Sequence, residues 1–119
     1  MKSKEYVRGT IKTIVLKLLS ENDKMYGYEI TQRVKQLSGG DIELTYGALY
    51  PILYKLESDK LLVTTSEVVD NRARKYYSLT SQGRKLAETK VSELRRFTEA
   101  LATLLQPIPS PSTNLISGT

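Results

Sequence analysis

Apolar residues recur at helical spacing along much of this chain. Ile11, Ile14, Val15, Leu18 and Leu19 fall at i, i+3, i+4, i+7 and i+8, which predicts a first helix over Arg8 to Ser20. The turn formers Glu21-Asn22-Asp23-Lys24 interrupt that pattern. A second helix is predicted over Met25 to Leu37, with Ile30, Val34 and Leu37 as its apolar stripe. Ser38-Gly39-Gly40 ends it, because glycine accepts the left-handed conformation past a helix C-terminus. Asp41-Ile42-Glu43-Leu44 alternates and reads as a small strand able to pair with a later hairpin. The third helix opens on Thr45 as its N-cap and buries Leu49, Ile52, Leu53 and Leu56. Pro51 lacks an amide hydrogen and its ring presses on the Gly47 carbonyl. A local bend or a distorted first turn is expected there, without a break.

The period then changes from helical to alternating. Strand formers cluster at Leu62 to Thr65 and again at Tyr76 to Leu79, around a turn at Asp70-Asn71-Arg72-Ala73-Arg74. That turn is longer than two residues, so its tip is expected to be mobile. A last helix starts with Thr80 or Ser81 as its cap and runs to about Leu105. Along it, Ala87, Val91, Leu94, Phe97, Leu101 and Leu104 stand close to a heptad seam. Residues 106–119 hold three of the four prolines, with serine, threonine and glycine, and read as a flexible tail. The fold class is therefore mainly α with a small β-hairpin. It is a winged helix-turn-helix over residues 1–80, followed by a C-terminal dimerisation helix over 81–105 and the tail.

Composition narrows the chemistry. A chain of 119 residues is one domain, or one domain and a tail. Its net charge of +5 suits a polyanionic partner, although a solvated lysine-rich surface gives the same sum. There is no cysteine and no histidine, which removes disulfides, thiolate metal sites and the usual general base. Acidic residues are scattered and no glycine-rich phosphate loop appears, so no enzyme, metal or cofactor is expected. No apolar run is long enough to span a membrane, and the start MKSKEYVRGT has no apolar signal core, so a cytoplasmic protein is expected.

Three segments resemble a known group. Tyr26 to Ile30 reads YGYEI, Thr45 to Glu57 reads TYGALYPILYKLE, and Arg74 to Leu86 reads RKYYSLTSQGRKL. Together they are similar to the PadR family of bacterial transcriptional regulators, across about residues 8 to 105. The resemblance implies a homodimer with an N-terminal winged helix and a C-terminal dimerising helix. It also implies binding to an inverted-repeat operator, usually as a repressor, with release by a small-molecule effector in some members. Two positions depart from the family's habit. Lys60 stands where relatives often carry glycine, and the tip Asp70-Asn71-Arg72-Ala73 is short of glycine.

Candidate contacts with double-stranded DNA follow from docking geometry. Thr45, Tyr46, Gly47 and Tyr50 lie in the first turns of the third helix, where a recognition helix meets base edges and phosphates. Tyr46 or Tyr50 packing on the second helix is the competing account. Arg72, Arg74 and Lys75 put three cations within four residues of a protruding hairpin. Tyr26 opens the second helix, where a hydroxyl or a main-chain amide can hold a phosphate, and packing under the wing explains it equally well. Lys55 and Lys60 fit a phosphate contact or plain solvation. Lys2, Lys4, Arg8 and Lys12 fit an extended basic face or a solvated charge run. Ala87, Val91, Leu94, Phe97, Leu101 and Leu104 are the candidate dimer interface. The alternative function is a winged-helix protein-interaction module whose DNA binding is weak or secondary.

Overall fold

A computed structural model describes residues 4–109, so Lys2 and residues 110–119 of the tail lie outside the described residues. A short helix α1 (Lys4–Val7) leads through a 3₁₀ turn (Arg8–Thr10) into α2 (Ile11–Glu21). Then come β1 (Met25–Tyr26), α3 (Gly27–Leu37), α4 (Tyr46–Ser58), β2 (Leu62–Val69), β3 (Arg72–Leu79) and the long α5 (Ser81–Leu104). The sheet has the order β1-β3-β2, antiparallel throughout. This is a winged helix built on α2, α3 and α4, preceded by the short α1 and extended by the long α5.

Helix α2 is the centre of the core. Ile11, Val15, Leu18 and Leu19 are buried as the periodicity predicts, and Leu16 is fully buried as well, because α4, α5 and β3 cover α2 from several sides. In α3, Ile30 and Val34 are buried, but Leu37 is 65% exposed: the stripe runs on by one turn after the helix has outrun the core. Leu49, Leu53 and Leu56 of α4 are buried and Ile52 packs against the same cluster. The helix continues through Pro51 unbroken.

The short helix α1 precedes the predicted first helix, whose start at Arg8–Thr10 is the 3₁₀ turn, and the sheet also differs from the sequence reading. Asp41–Leu44 forms no strand; the Ser38 hydroxyl accepts the Ile42 amide hydrogen at 3.0 Å and holds the segment as a loop. The outer strand is Met25–Tyr26 instead, paired Met25 with Tyr77 and Tyr26 with Tyr76. The wing is also longer and its turn tighter than expected. Val69 pairs with Arg72, which leaves a two-residue turn at Asp70-Asn71 with φ of +51° and +63°. Positive φ at both central residues is the type I′ geometry that matches strand twist, and Asp and Asn tolerate it without glycine.

Helices α3 and α4 end alike. After α3, the Gly39 amide donates to Gln36 O and the Gly40 amide to Lys35 O, with Gly39 at φ +64°. After α4, Lys60 donates to Glu57 O and Leu61 to Leu56 O, with Lys60 at φ +61°. Both are Schellman closures, and the second places a lysine where glycine is preferred.

Candidate nucleic-acid interface

The site is built on the start of α4. Thr45 caps the helix, its hydroxyl accepting the Ala48 amide hydrogen at 3.2 Å. With one face of α4 in the core, Tyr46 and Gly47 turn outward. A side chain added at Gly47 would meet nothing closer than the Thr45 hydroxyl at 4.0 Å, so the glycine leaves the backbone of the first turn bare. Tyr46, Tyr50 and Tyr54 form a ladder at i, i+4 spacing with ring centroids 5.7 and 5.8 Å apart. Tyr50 is half-buried, and its hydroxyl lies where a Cβ on Gly27 would be 2.3 Å away. Burial, and then the neighbouring Tyr46 and Tyr54 phenols, raise its pKa. Tyr50 is thus a neutral packing residue between α3 and α4 with part of its ring still open.

The wing separates its three cations. Side chains alternate along β3, so Arg72 and Arg74 share one face and Lys75 takes the other. Arg72 is exposed next to the turn. The Arg74 guanidinium lies 4.5 Å over the Tyr26 ring, and a hydrogen bond to the Tyr76 side chain raises a pKa that is already high. Lys75 faces α4, 3.7 Å from Glu57 and 5.6 Å from the Tyr54 ring centroid. Thr64 donates to the same Glu57 carboxylate at 3.1 Å. Lys55 is exposed and paired with Asp59 at 3.2 Å.

These contacts run continuously: Arg74 on Tyr26, Gly27 next to it against Tyr50, and Tyr50 against Tyr46. A chain of contacts through the buried Gly27 therefore joins the start of α4 to the root of the wing. The Transcriptional regulator PadR-like family matches residues 15–89, which spans all of α3, α4 and the wing. The chain belongs to this family. Transcriptional regulator Rv3488 of Mycobacterium tuberculosis is 36% identical over 99 residues, covering 83% of this chain and 85% of that one. A PadR family transcriptional regulator from Eggerthella lenta superposes with a TM-score of 0.69 at 29% identity, covering 87% of this chain and 88% of that one. A Clostridium thermocellum transcriptional regulator shares the fold, with a TM-score of 0.76 at 24% identity over 86% of this chain and 99% of that one. The PadR-like chain is a transcriptional regulator, of a DNA-binding class, and not an enzyme.

The opposite end of this PadR-like regulator is apolar. Ala87 is 2% exposed and belongs to the core, so it is not free to meet a partner, unlike the rest of the expected seam. Val91 and Leu94 are half-buried along a groove of about 200 Å³ between α2 and α5, opposite Thr13 and Ile14. Beyond it Phe97, Leu101 and Leu104 are exposed. No helix among the described residues is long and apolar enough to cross a membrane. The periodicity gave no hint of Lys24 or Glu57 as site residues. Lys24 lies 4.8 Å over the Tyr76 ring and pairs with Glu67. Only the pairing of β1 with β3 brings it there, and two residues of strand leave almost no pattern to read.

Proposed function

We propose that this chain is a repressor that binds an inverted-repeat operator as a homodimer. The observation that carries the reading is the chain of contacts from Tyr46 through Tyr50, Gly27 and Tyr26 to Arg74, with bare backbone at Gly47 beside it. Thr45, Tyr46 and Gly47 enter the major groove at the N-terminal end of α4, and Arg72 and Arg74 meet the neighbouring backbone or minor groove. Tyr26 and Tyr50 line the path between them. Lys55 and Lys75, each facing a carboxylate, complete the set of cations beside the DNA. Residues 1–80 read DNA, and Val91, Leu94, Phe97, Leu101 and Leu104 of α5 join two copies, so the dimer reads two half-sites about one turn apart. Bound over a promoter, the dimer excludes polymerase. A small-molecule effector releases it only by preferring one arrangement of the two winged helices over the other.

The test is fluorescence-anisotropy binding to the DNA upstream of the protein's own gene, against a scrambled duplex, at two salt concentrations. The upstream duplex is expected to bind more tightly by about 10³-fold or more, the low end for sequence-specific over non-specific binding. Substituting Arg72 and Arg74 together with alanine should abolish operator binding. Each lost phosphate contact should also flatten the log–log salt slope by about 1. Equal, weak binding to both duplexes, unchanged in the double variant, would instead favour the protein-interaction module.

A further inference from the structure

We infer that Tyr26 is a positioning residue for the wing, the seat that holds the Arg74 guanidinium in place for a DNA phosphate. The inference rests on the reading of Arg74 as a DNA contact and explains how that contact is prepared. Tyr26 is fixed from three directions. Its backbone pairs with Tyr76 in the sheet, and its amide donates to Glu29 Oε1 at 3.1 Å. Its ring meets Tyr76 edge-on at 5.4 Å and stacks with Tyr28 at 6.4 Å. Arg74 then lies over this braced ring at 4.5 Å. Lys24 reinforces the arrangement from the same segment, lying over Tyr76 and pairing with Glu67 of β2. Both strands of the wing are thus tied back to the entry of α3.

The geometry leaves the guanidinium usable. A cation over a ring is held by the ring's π face, whereas phosphate is held by the N–H donors, so one guanidinium can do both. The planar fork carries several N–H donors, and the ring contact uses none of them. A seated arginine has already lost the rotamer freedom that an unseated one loses on binding, which is how preorganisation raises affinity. Arg72 provides the internal contrast. It points to the same face two residues further out, and no ring contact reaches it among the described residues. Tyr26 should therefore couple to Arg74 and not to Arg72, and its hydroxyl should be dispensable.

The experiment has two arms. In the free protein, nitrogen relaxation of the arginine Nε–H groups reports side-chain order. Arg74 is expected to be ordered in the wild type and in Tyr26→Phe, and mobile in Tyr26→Leu. On operator DNA, Tyr26→Leu is expected to weaken binding about 10-fold, while Tyr26→Phe stays within about twofold of wild type. Added to Arg74→Ala, Tyr26→Leu should cause no further loss; added to Arg72→Ala, it should cause its full loss. If Tyr26→Leu melts β1, the same cycle is read with Tyr26→Ile, a strand former without a ring. Equal losses in the Phe and Leu variants would show a hydroxyl contact with DNA and overturn the seat. Additive losses with Arg74→Ala, or Arg74 order indifferent to the ring, would overturn it too. A wild-type chain that prefers no duplex sinks the proposed function and this inference with it; wild-type binding with an additive cycle sinks this inference alone.

Discussion

Lys60 holds φ at +61° because the Schellman closure of α4 needs a left-handed residue after Asp59. An L side chain there costs about 1–2 kcal/mol, and glycine gives back part of the gain through its freer unfolded state. Lys60→Gly should therefore raise stability by about 0.5–1 kcal/mol, read as a higher urea midpoint at unchanged slope. The missing glycine was visible in the sequence; that the position keeps the glycine geometry was not, because only the hydrogen bonds define it. Tyr77 poses the opposite question. Its ring is 1% exposed, and its hydroxyl finds no hydrogen-bond partner among the described residues. Burial, followed by the nearby Tyr54, Tyr50 and Glu57, pushes its pKa up to about 12. With the folded value above the unfolded 10, the stabilising neutral form is fully present below pH 10, and its contribution is lost as pH rises through about 12. Tyr77→Phe should be neutral or stabilising at pH 7 and should remove that share of the alkaline loss, as thermal melts of both proteins at pH 7 and at pH 10 to 11 would show. A large loss at pH 7 would mean that the hydroxyl has a partner. Thr45 was legible because an N-cap is a local device; the Glu57–Lys75 pair was not, because it exists only once the wing folds over α4.

Among the elements, the helices were legible and the outer strand was not. Apolar spacing carries the helix period over ten or more residues, so α2, α4 and α5 were found with only their ends in error. Alternation over four residues at Asp41–Leu44 suggested a strand, yet the Ser38 hydroxyl claims the Ile42 amide and the place beside β3 goes to Met25–Tyr26. The hairpin's full length is hidden in the sequence because its turn lacks the Asn-Gly or Asp-Gly pair that marks a two-residue loop. The approach of α5 to the rest of the fold depends on Gly83 in the helix's first turn. A Cβ there would lie 2.1 Å from the Leu61 carbonyl oxygen and 3.0 Å from Leu79 Cδ2. The obstacle is backbone, and it is held in place: Leu61 O accepts the Thr80 amide hydrogen at 3.1 Å, and Lys60 O accepts the Thr80 hydroxyl at 2.9 Å. Gly83→Ala should therefore cost about 3 kcal/mol, the upper end of the overpacking range, measured by denaturant unfolding. A loss under about 0.5 kcal/mol would show that α5 can shift away freely. Gly47→Ala, with open space around it, is the matched control and should leave the fold intact.

At the scale of the molecule, the length of α5 decides what the chain must do next. It has 24 residues against 11 in α2, the helix that covers it, so at about 1.5 Å per residue α2 reaches along less than half of it. The covered half buries Ala87 inside the protomer, and the uncovered half exposes Phe97, Leu101 and Leu104. The heptad spacing made the stripe legible but hid this division, because one period runs through the buried and the exposed half alike. In the proposed dimer this stripe meets its own copy across a two-fold axis, where each substitution acts twice. Leu101→Glu should therefore weaken the dimer by at least about 100-fold, or about 2.7 kcal/mol, since two carboxylates would enter an apolar seam. Sedimentation equilibrium at micromolar concentration should find wild type dimeric and the variant monomeric. The variant should keep its helical circular dichroism, because Leu101 lies outside the core cluster of its own protomer. Its winged helix should then hold a single half-site and lose its preference for the paired one. A wild-type monomer, or a variant dimer as tight as wild type, would place the pairing surface elsewhere, and α5 would then be free to carry a different partner.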